Sequence, residues 1–288
     1  MKSASKIMVL VMLILVFFCI APSGANAGEE EDLYVQGNSY CMQQQWDKAL
    51  ESFSTLIRKY PSTRFGDTPF WVGYCQMEKG DYSQAIETFK GFISKNPNNS
   101  YVAQAMYKVG EIYEKYLCDY NKAVLAYGDV AKRFPESQVA VQSLFNNAVI
   151  KEFTQGDFSG AQRNYQKVTQ IAGGNTNVYS GYKERAQQRI AFIEKNSDNG
   201  YRPLKIYTQS FALEEQKKLD KAMEGYTGLL AKYPASTLAD DAQFRIMKCW
   251  EKRGVVAKVK DAGRKFLKDY PQSEYVPQVK TMLQKYGE

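Results

Sequence analysis

Apolar side chains recur along most of this chain at intervals of three and four residues, the spacing that places them on one face of an α-helix. The stretch AMEGYTGLL shows this, because Ala222, Tyr226 and Leu229 share one stripe. Such runs are followed by a proline and, two residues later, by a residue type that favours the start of a helix, as in LLAKYPAS at 229–236. The pattern predicts short helices with a stop and a start signal between them.

A small residue, an aromatic ring four residues later and a proline eight residues after the ring recur in register. The full copies are Ala49, Phe53 and Pro61; Ala85, Phe89 and Pro97; Ala123, Tyr127 and Pro135; and Ala222, Tyr226 and Pro234. A further copy begins at Ala161 and Tyr165 without a proline, and a looser last copy retains Pro271. The small side chain admits a neighbouring helix and the ring fills the space beside it, so the register predicts paired helices.

Turn and cap signals separate these helices. Gly-Asp in KGDYSQA and QGDFSGA predicts a turn within each pair, and Cys118 takes the place of the glycine in LCDYNKA. Two residues after each proline stands a residue type that caps helices, and we expect these residues to cap the next helix: Thr63, Asn99, Ser137, Ser236 and Ser273.

The first helix of a pair carries a pattern of its own, G-x2-Y, at Gly37 with Tyr40 and at Gly110 with Tyr113. Together with the A-x3-F and proline pattern, this arrangement resembles the tetratricopeptide repeat, and six copies cover nearly all of the chain after residue 27. The resemblance implies an all-α solenoid, a right-handed superhelix of helix pairs.

The successive small residues lie 36, 38, 38 and then 61 residues apart, so one irregular insertion interrupts the repeats near residues 173–203. The turn formers NSDNGYRP at 196–203 predict a bend there. We therefore expect repeats 1–4 and one extra helix over 28–196, and repeats 5–6 with a capping helix over 203–288.

Residues 1–27 have the three-part layout of a secretory signal. Lysines precede a 15-residue apolar run at 7–21, and small residues follow up to Ala27. A membrane span needs about 20 apolar residues, so the pattern predicts a signal peptide cleaved after Ala27. A lipid-modified start at Cys19 is the alternative, but Phe18 stands where such signals have a small residue.

Basic residues are concentrated at the C-terminal end. Residues 245–288 hold eleven Lys and Arg against five Asp and Glu, an excess of six in a chain of net charge +7. A solvated helix face would account for this; the alternative is a docking surface for an acidic partner or an anionic envelope surface. The predicted docking residues are Lys258, Lys260, Arg264 and Lys265. We expect no nucleic-acid partner.

Residue types that carry chemistry are few. Histidine is absent, which removes the commonest general base and a frequent metal ligand. The four cysteines after residue 27 form no CxxC pair. Three of them lie in helical patterns, where we expect buried thiols rather than disulfides. No P-loop or GxGxxG occurs. We therefore expect no catalytic residue, no metal and no cofactor, and interpret the chain as non-enzymatic.

Units of 36 to 38 residues, and YPAS followed by LADDAQF, resemble a bacterial envelope subgroup of this repeat family. It includes the outer-membrane assembly lipoproteins of the BamD type and the periplasmic repeat proteins of the Tol and Pal system. The resemblance implies a scaffold for protein–protein interaction in the periplasm, in contact with the outer membrane or peptidoglycan, acting in outer-membrane assembly or envelope maintenance. This chain lacks the lipid-attachment pattern of the former and the preceding coiled-coil heptads of the latter.

The family fold also implies a concave groove, lined by the first helices, that takes partner peptides or helices. The predicted lining on the third unit is Tyr107, Lys108, Glu111 and Glu114. Two alternatives remain open. One is a structural component of a secretion or pilus apparatus. The other is a cell-wall enzyme that uses the repeats as a platform, although few residues lie outside the repeats.

Overall fold

The computed structural model describes residues 28–172 and 180–287, so the predicted signal peptide and Cys19 lie outside the described residues. Within the described ranges the chain forms fourteen α-helices and no strand. The helices are α1 (Glu29–Met42), α2 (Trp46–Lys59), α3 (Thr68–Lys79), α4 (Tyr82–Lys95), α5 (Val102–Glu111), α6 (Tyr120–Arg133), α7 (Gln138–Ile150), α8 (Phe158–Ala172), α9 (Ser180–Lys195), α10 (Arg202–Glu215), α11 (Leu219–Lys232), α12 (Ala239–Lys252), α13 (Val256–Asp269) and α14 (Val276–Lys285). Two π-helical turns, Ile112–Tyr116 and Lys151–Gln155, extend α5 and α7.

The chain forms two compact units, the first ending at Lys79 and the second beginning at Gly80. In the first unit α1 packs on α2 and α2 on α3. In the second unit each helix packs on the next from α4 to α9 and again from α10 to α14. The prediction of an all-α solenoid of helix pairs is confirmed.

The small residues and rings of the predicted register form the core. All ten are fully buried: Ala49, Phe53, Ala85, Phe89, Ala123, Tyr127, Ala161, Tyr165, Ala222 and Tyr226. Burying one such ring removes its apolar surface from water, which stabilises the fold by roughly 1.5–3 kcal/mol. The helices therefore owe their stability to this shared face.

Glycine on the first helix allows the ring on the second to approach. A Cβ atom at Gly37 would lie 2.5 Å from the ring of Phe53, and one at Gly110 would lie 2.7 Å from the ring of Tyr127. The last repeat reverses this arrangement. Met247, buried on α12, faces Gly263 on α13, where a Cβ would lie 3.0 Å from Met247 Cε. In this repeat the large side chain is on the first helix and the glycine is on the second.

The prolines stand where the sequence predicted helix ends, two residues beyond the last helical residue in α2, α4, α6, α11 and α13. The prediction that the following polar residue caps the next helix is right only for Ser137, whose Oγ accepts a hydrogen bond of 3.1 Å from the Ala140 amide. The other four instead accept from the amide two residues later, as Asn99 does from Tyr101 at 2.9 Å. They close a turn that precedes the helix.

The turn inside each pair contains one residue with left-handed backbone, glycine in three cases; the six are Gln44, Gly80, Cys118, Gly156, Lys217 and Gly254. A side chain in this region costs about 1–2 kcal/mol, partly offset by the greater freedom of glycine in the unfolded chain. Lys217→Gly is therefore expected to raise the free energy of unfolding by about 0.5–1 kcal/mol. Urea denaturation would measure it.

Gly254→Ala provides the matched control, because its backbone φ of 72° resembles the 61° of Lys217 and a Cβ there would meet no atom within 4 Å. This variant is expected to lose about as much stability as Lys217→Gly gains. If both substitutions changed the free energy of unfolding in the same direction, backbone strain at Lys217 would not be the cause.

Left-handed residues also turn the chain at the predicted bend, where Asn199, Gly200 and Tyr201 have φ values of 50°, 63° and 62°. Residues on both sides of this turn share one hydrophobic cluster, which includes Ile193 and Leu204. The described parts of 80–196 and of 203–287 both belong to the second compact unit.

Candidate partner-binding surface

Three first helices of the second unit end with a glutamate bound to the signature tyrosine of the following helix. The hydroxyl of Tyr127 donates to Glu114 at 2.6 Å, that of Tyr165 to Glu152 at 3.0 Å, and that of Tyr226 to Glu214 at 3.0 Å. Glutamate and tyrosine are 13, 13 and 12 residues apart. The two longer spacings coincide with the two π-helical turns, each of which accommodates an extra residue.

Cations from the next first helix complete two of these glutamate sites. Glu152 is fully buried, and Arg189 of α9 donates to it through two nitrogens, Nε at 3.2 Å. Glu214 is also fully buried and binds Lys252 at 2.7 Å and Arg245 at 3.3 Å, both on α12. Each site therefore joins one repeat to the following first helix. We name these two sites the glutamate clamps.

The tyrosines of the clamps remain donors. Burial and the adjacent carboxylate raise the pKa of Tyr165 and Tyr226 above the usual value for tyrosine. Their hydroxyls stay protonated and their hydrogen bonds to Glu152 and Glu214 persist over the neutral range. The clamps thus serve internal cohesion.

The residues predicted to line a first-helix groove are largely engaged inside the second unit. Tyr107 is 9 % exposed, lies 5.5 Å from the ring of Tyr127, and accepts a hydrogen bond from Asn146. Burial disfavours charge on Glu111, but Lys108 and Lys115 outweigh that effect and lower its pKa. Glu114, the fourth, binds Tyr127, and burial raises its pKa. Their role in partner binding stays a prediction.

An open groove of about 740 Å³ lies between α11, α12 and α13. Its apolar lining includes Leu230, Ile246 and Trp250, each only partly buried. Lys258 and Lys265 of α13 stand at its edge. We name this feature the α12 groove. It combines partly exposed apolar surface with two lysines and two aspartates, which suits an amphipathic helical or extended segment of another protein.

The structure places the four predicted docking cations on two flanks of α13. Lys258 and Lys265 are seven residues apart and share the flank at the α12 groove. Lys260 and Arg264 are four residues apart and share the opposite flank of the helix. Arg264 pairs with Asp261 at 2.7 Å. The sequence predicted one docking set of four cations, because a count of charges does not show which face of the helix each residue occupies.

A smaller groove of about 450 Å³ on α10 and α11 repeats the same positions 37 residues earlier. The equivalent pairs are Ile206 and Gln243, Leu213 and Trp250, Lys221 and Lys258, Glu224 and Asp261, Gly225 and Ala262, Gly228 and Lys265, and Lys232 and Asp269. In both grooves, the first turns of the second helix contain a lysine and, three residues later, an acidic residue. That K-x2-[DE] spacing is a signal that sequence reasoning missed.

The described residues contain neither a cluster of metal ligands nor a membrane-spanning helix. Across 28–172 and 180–287, no group of three or more Cys, Asp or Glu side chains is placed to hold a metal ion. Among the helices the structure describes, none combines the length and hydrophobicity of a membrane span.

This chain is similar to several known proteins. One curated relative, the outer membrane protein assembly factor BamD of Haemophilus influenzae, is 25% identical over 207 residues, which cover 67% of this chain and 76% of that protein. A tetratricopeptide repeat protein from Parabacteroides merdae superposes with a TM-score of 0.47 at 14% identity, over 88% of this chain and 98% of that one. PilW, a type IV pilus biogenesis factor, has a TM-score of 0.42 at 13% identity, over 88% and 99%.

The sequence profile of the tetratricopeptide repeat matches this chain four times, at residues 33–63, 70–99, 104–137 and 206–236. Each match covers two successive helices, or most of them, and contains the small residue and ring of the register. The profile matches and the packed helices together show that this chain contains tetratricopeptide repeats and folds as an all-α solenoid of them.

Proposed function

We propose that this protein is a non-catalytic scaffold of the bacterial cell envelope that binds an amphipathic helix of a partner protein in the α12 groove. The observation that carries the proposal is the groove itself, where the partly exposed side chains of Leu230, Ile246 and Trp250 meet Lys258 and Lys265. Apolar side chains of a partner helix would cover the lining, as in other helix-in-groove complexes.

The charge of this region specifies the partner further. Residues 245–288 carry six more basic than acidic side chains, and the groove lining adds two aspartates to its two lysines. A partner helix with acidic residues opposite the lysines therefore complements the groove within a basic region. Lys265 already pairs with Asp269 on its own helix, and both side chains stay partly exposed, so a partner carboxylate can compete for this lysine. The apolar lining supplies affinity and the lysines supply orientation.

Two observations support a location in the cell envelope. Residues 1–27 have the layout of a signal for export, and the chain is similar to a BamD protein whose name describes outer membrane protein assembly. We therefore propose a periplasmic protein that contacts the outer membrane or peptidoglycan through its partners and acts in outer-membrane assembly or envelope maintenance.

Charge reversal tests the groove. A photo-reactive amino acid at Thr227, which lines the groove, is expected to crosslink a partner in the envelope fraction, and the crosslinked segment is expected to be an acidic amphipathic helix. Lys258→Glu with Lys265→Glu should reduce this crosslink about tenfold, because each reversed pair removes attraction and adds repulsion. Mass spectrometry of the crosslinked peptide identifies the bound segment.

Lys260→Glu with Arg264→Glu is the matched control. It makes the same change in net charge on two side chains that do not line the groove, and it also disrupts one surface ion pair, that of Arg264 with Asp261. Unchanged crosslinking in this control supports the groove. Equal loss in both double variants would show that only the overall charge matters, and no loss in either would exclude Lys258 and Lys265 from the interface.

A further inference from the structure

Two cysteines of the first unit meet between neighbouring first helices. Cys41 lies near the end of α1 and Cys75 in the middle of α3, and their Sγ atoms are 3.3 Å apart. A disulfide requires about 2.05 Å, so the two sulfur atoms need to approach by roughly 1.3 Å. Cysteine spacing in the sequence did not predict this pair, since the residues are 34 positions apart on different helices.

The two thiols differ in access. Cys41 is partly exposed, while Cys75 is fully buried in the cluster with Ala49 and Phe53. The hydrogen bond with Cys41 and burial raise the pKa of Cys75, which keeps it a protonated thiol until Cys41 has reacted. An external reagent therefore reaches Cys41 first.

We propose that Cys41 and Cys75 form a modification site, in which a disulfide cross-links the first helices of the first two repeats. The oxidant is a small or protein disulfide. The Cys41 thiolate attacks it, forms a mixed disulfide and releases one thiol; the Cys75 thiolate then attacks the Cys41 sulfur and releases the second thiol. Two protein thiols lose two protons and two electrons, and the external disulfide is reduced to two thiols.

This inference rests on the sulfur geometry and not on the proposed partner. An oxidising compartment such as the periplasm would supply the disulfide, whereas a reducing cytoplasm would keep both thiols free. The cross-link closes a loop that includes α2, so it restricts the unfolded first unit. Its formation is expected to raise the midpoint of thermal unfolding of that unit, and a reductant is expected to reverse the change.

Peptide mapping gives the direct test. The full chain with Cys19→Ser, purified in reductant, retains four cysteines. Incubation with oxidised glutathione is expected to remove the thiols of Cys41 and Cys75 from the four counted in denaturant, with at most one more lost at the exposed Cys118. After alkylation and digestion with trypsin, the peptide ending at Lys48 should be linked to the peptide 65–79, and a reductant should separate them.

The other cysteines act as internal controls. Cys118 and Cys249, in tryptic peptides 116–122 and 249–252, should appear in no linked peptide. The buried Cys249 should be recovered alkylated, and the exposed Cys118 alkylated or carrying glutathione. Cys41→Ser and Cys75→Ser should each abolish the linked peptide, while Cys118→Ser leaves it unchanged. The proposal is overturned if Cys75 is recovered alkylated after oxidation, if it retains glutathione, or if it is linked to Cys118 or Cys249.

Discussion

Replacing Arg189 by alanine is expected to lower the free energy of unfolding by about 3–5 kcal/mol, because it leaves the charge of Glu152 buried without its cation. Glu152 is 0 % exposed, and its other hydrogen-bond partner is the Tyr165 hydroxyl at 3.0 Å. The arginine also packs on the rings of Phe153 and Phe192, at 5.2 and 4.5 Å from their centres. Urea denaturation followed by circular dichroism would measure the loss.

A double variant separates charge from packing. Adding Glu152→Gln to Arg189→Ala removes the unpaired charge, so most of the lost stability should return. Arg264→Ala is the surface control, since its pair with Asp261 is more than half exposed on both sides and is expected to contribute at most about 1 kcal/mol. If Arg189→Ala costs no more than Arg264→Ala, the clamp at Glu152 does not join the repeats energetically.

Gly110→Ala is expected to destabilise the second unit by about 1–3 kcal/mol, although alanine is the better helix former. The added Cβ would lie 2.7 Å from the ring of Tyr127, which is fully buried and hydrogen-bonded to Glu114. Neither the ring nor the helix can move without disturbing the core, so overpacking outweighs helix propensity. Thermal and urea unfolding would both show the decrease.

Gly91→Ala makes the same substitution on α4, in the same unit, where a Cβ meets no atom within 4 Å. Propensity then acts alone, and the variant should gain about 0.5–1 kcal/mol. Opposite signs for the two variants would establish that the glycine of G-x2-Y is a packing requirement. A gain in both would mean that the Tyr127 ring adapts to the larger residue.

The clamps bear on the proposed function because the α12 groove needs a fixed spacing between consecutive repeats. Glu214 of α10 holds Arg245 and Lys252 of α12, and α12 forms the centre of the groove. A partner helix that spans two repeats gains affinity when these helices are already in position. Under the proposed function, the ion pairs of Glu214 would therefore preorganise the groove as well as hold the repeats together.

Much of the fold was predictable because the determining signals are local. The small residue, ring and proline of each copy lie within one helix and its end, so spacing alone identified them. The cap residues were misjudged for the opposite reason. Thr63, Asn99, Ser236 and Ser273 have side chains that can close either a helix or the turn before it. Backbone geometry beyond the residue itself decides between the two.

The partner-binding residues were harder to predict, because their surroundings depend on contacts between residues far apart in the sequence. Tyr107 and Glu111 are residue types that are common in binding surfaces. Packing across helices and local ion pairs nevertheless engage them inside the second unit. Lys258 and Lys265 stand at the groove edge, while Lys260 and Arg264 share a charge type but not a face. The two grooves have equivalent linings because consecutive repeats place positions 37 residues apart on the same faces.

The amino-acid sequence by itself determined the helix pairs, their register and the scarcity of catalytic residue types, because helix periodicity and helix ends depend on neighbours within a few residues. Only the tertiary structure decided which acids are buried in clamps, which lysines flank a groove and which two cysteines meet. Those outcomes depend on residues some 30 to 40 positions apart, and their proximity follows from how one repeat packs on the next.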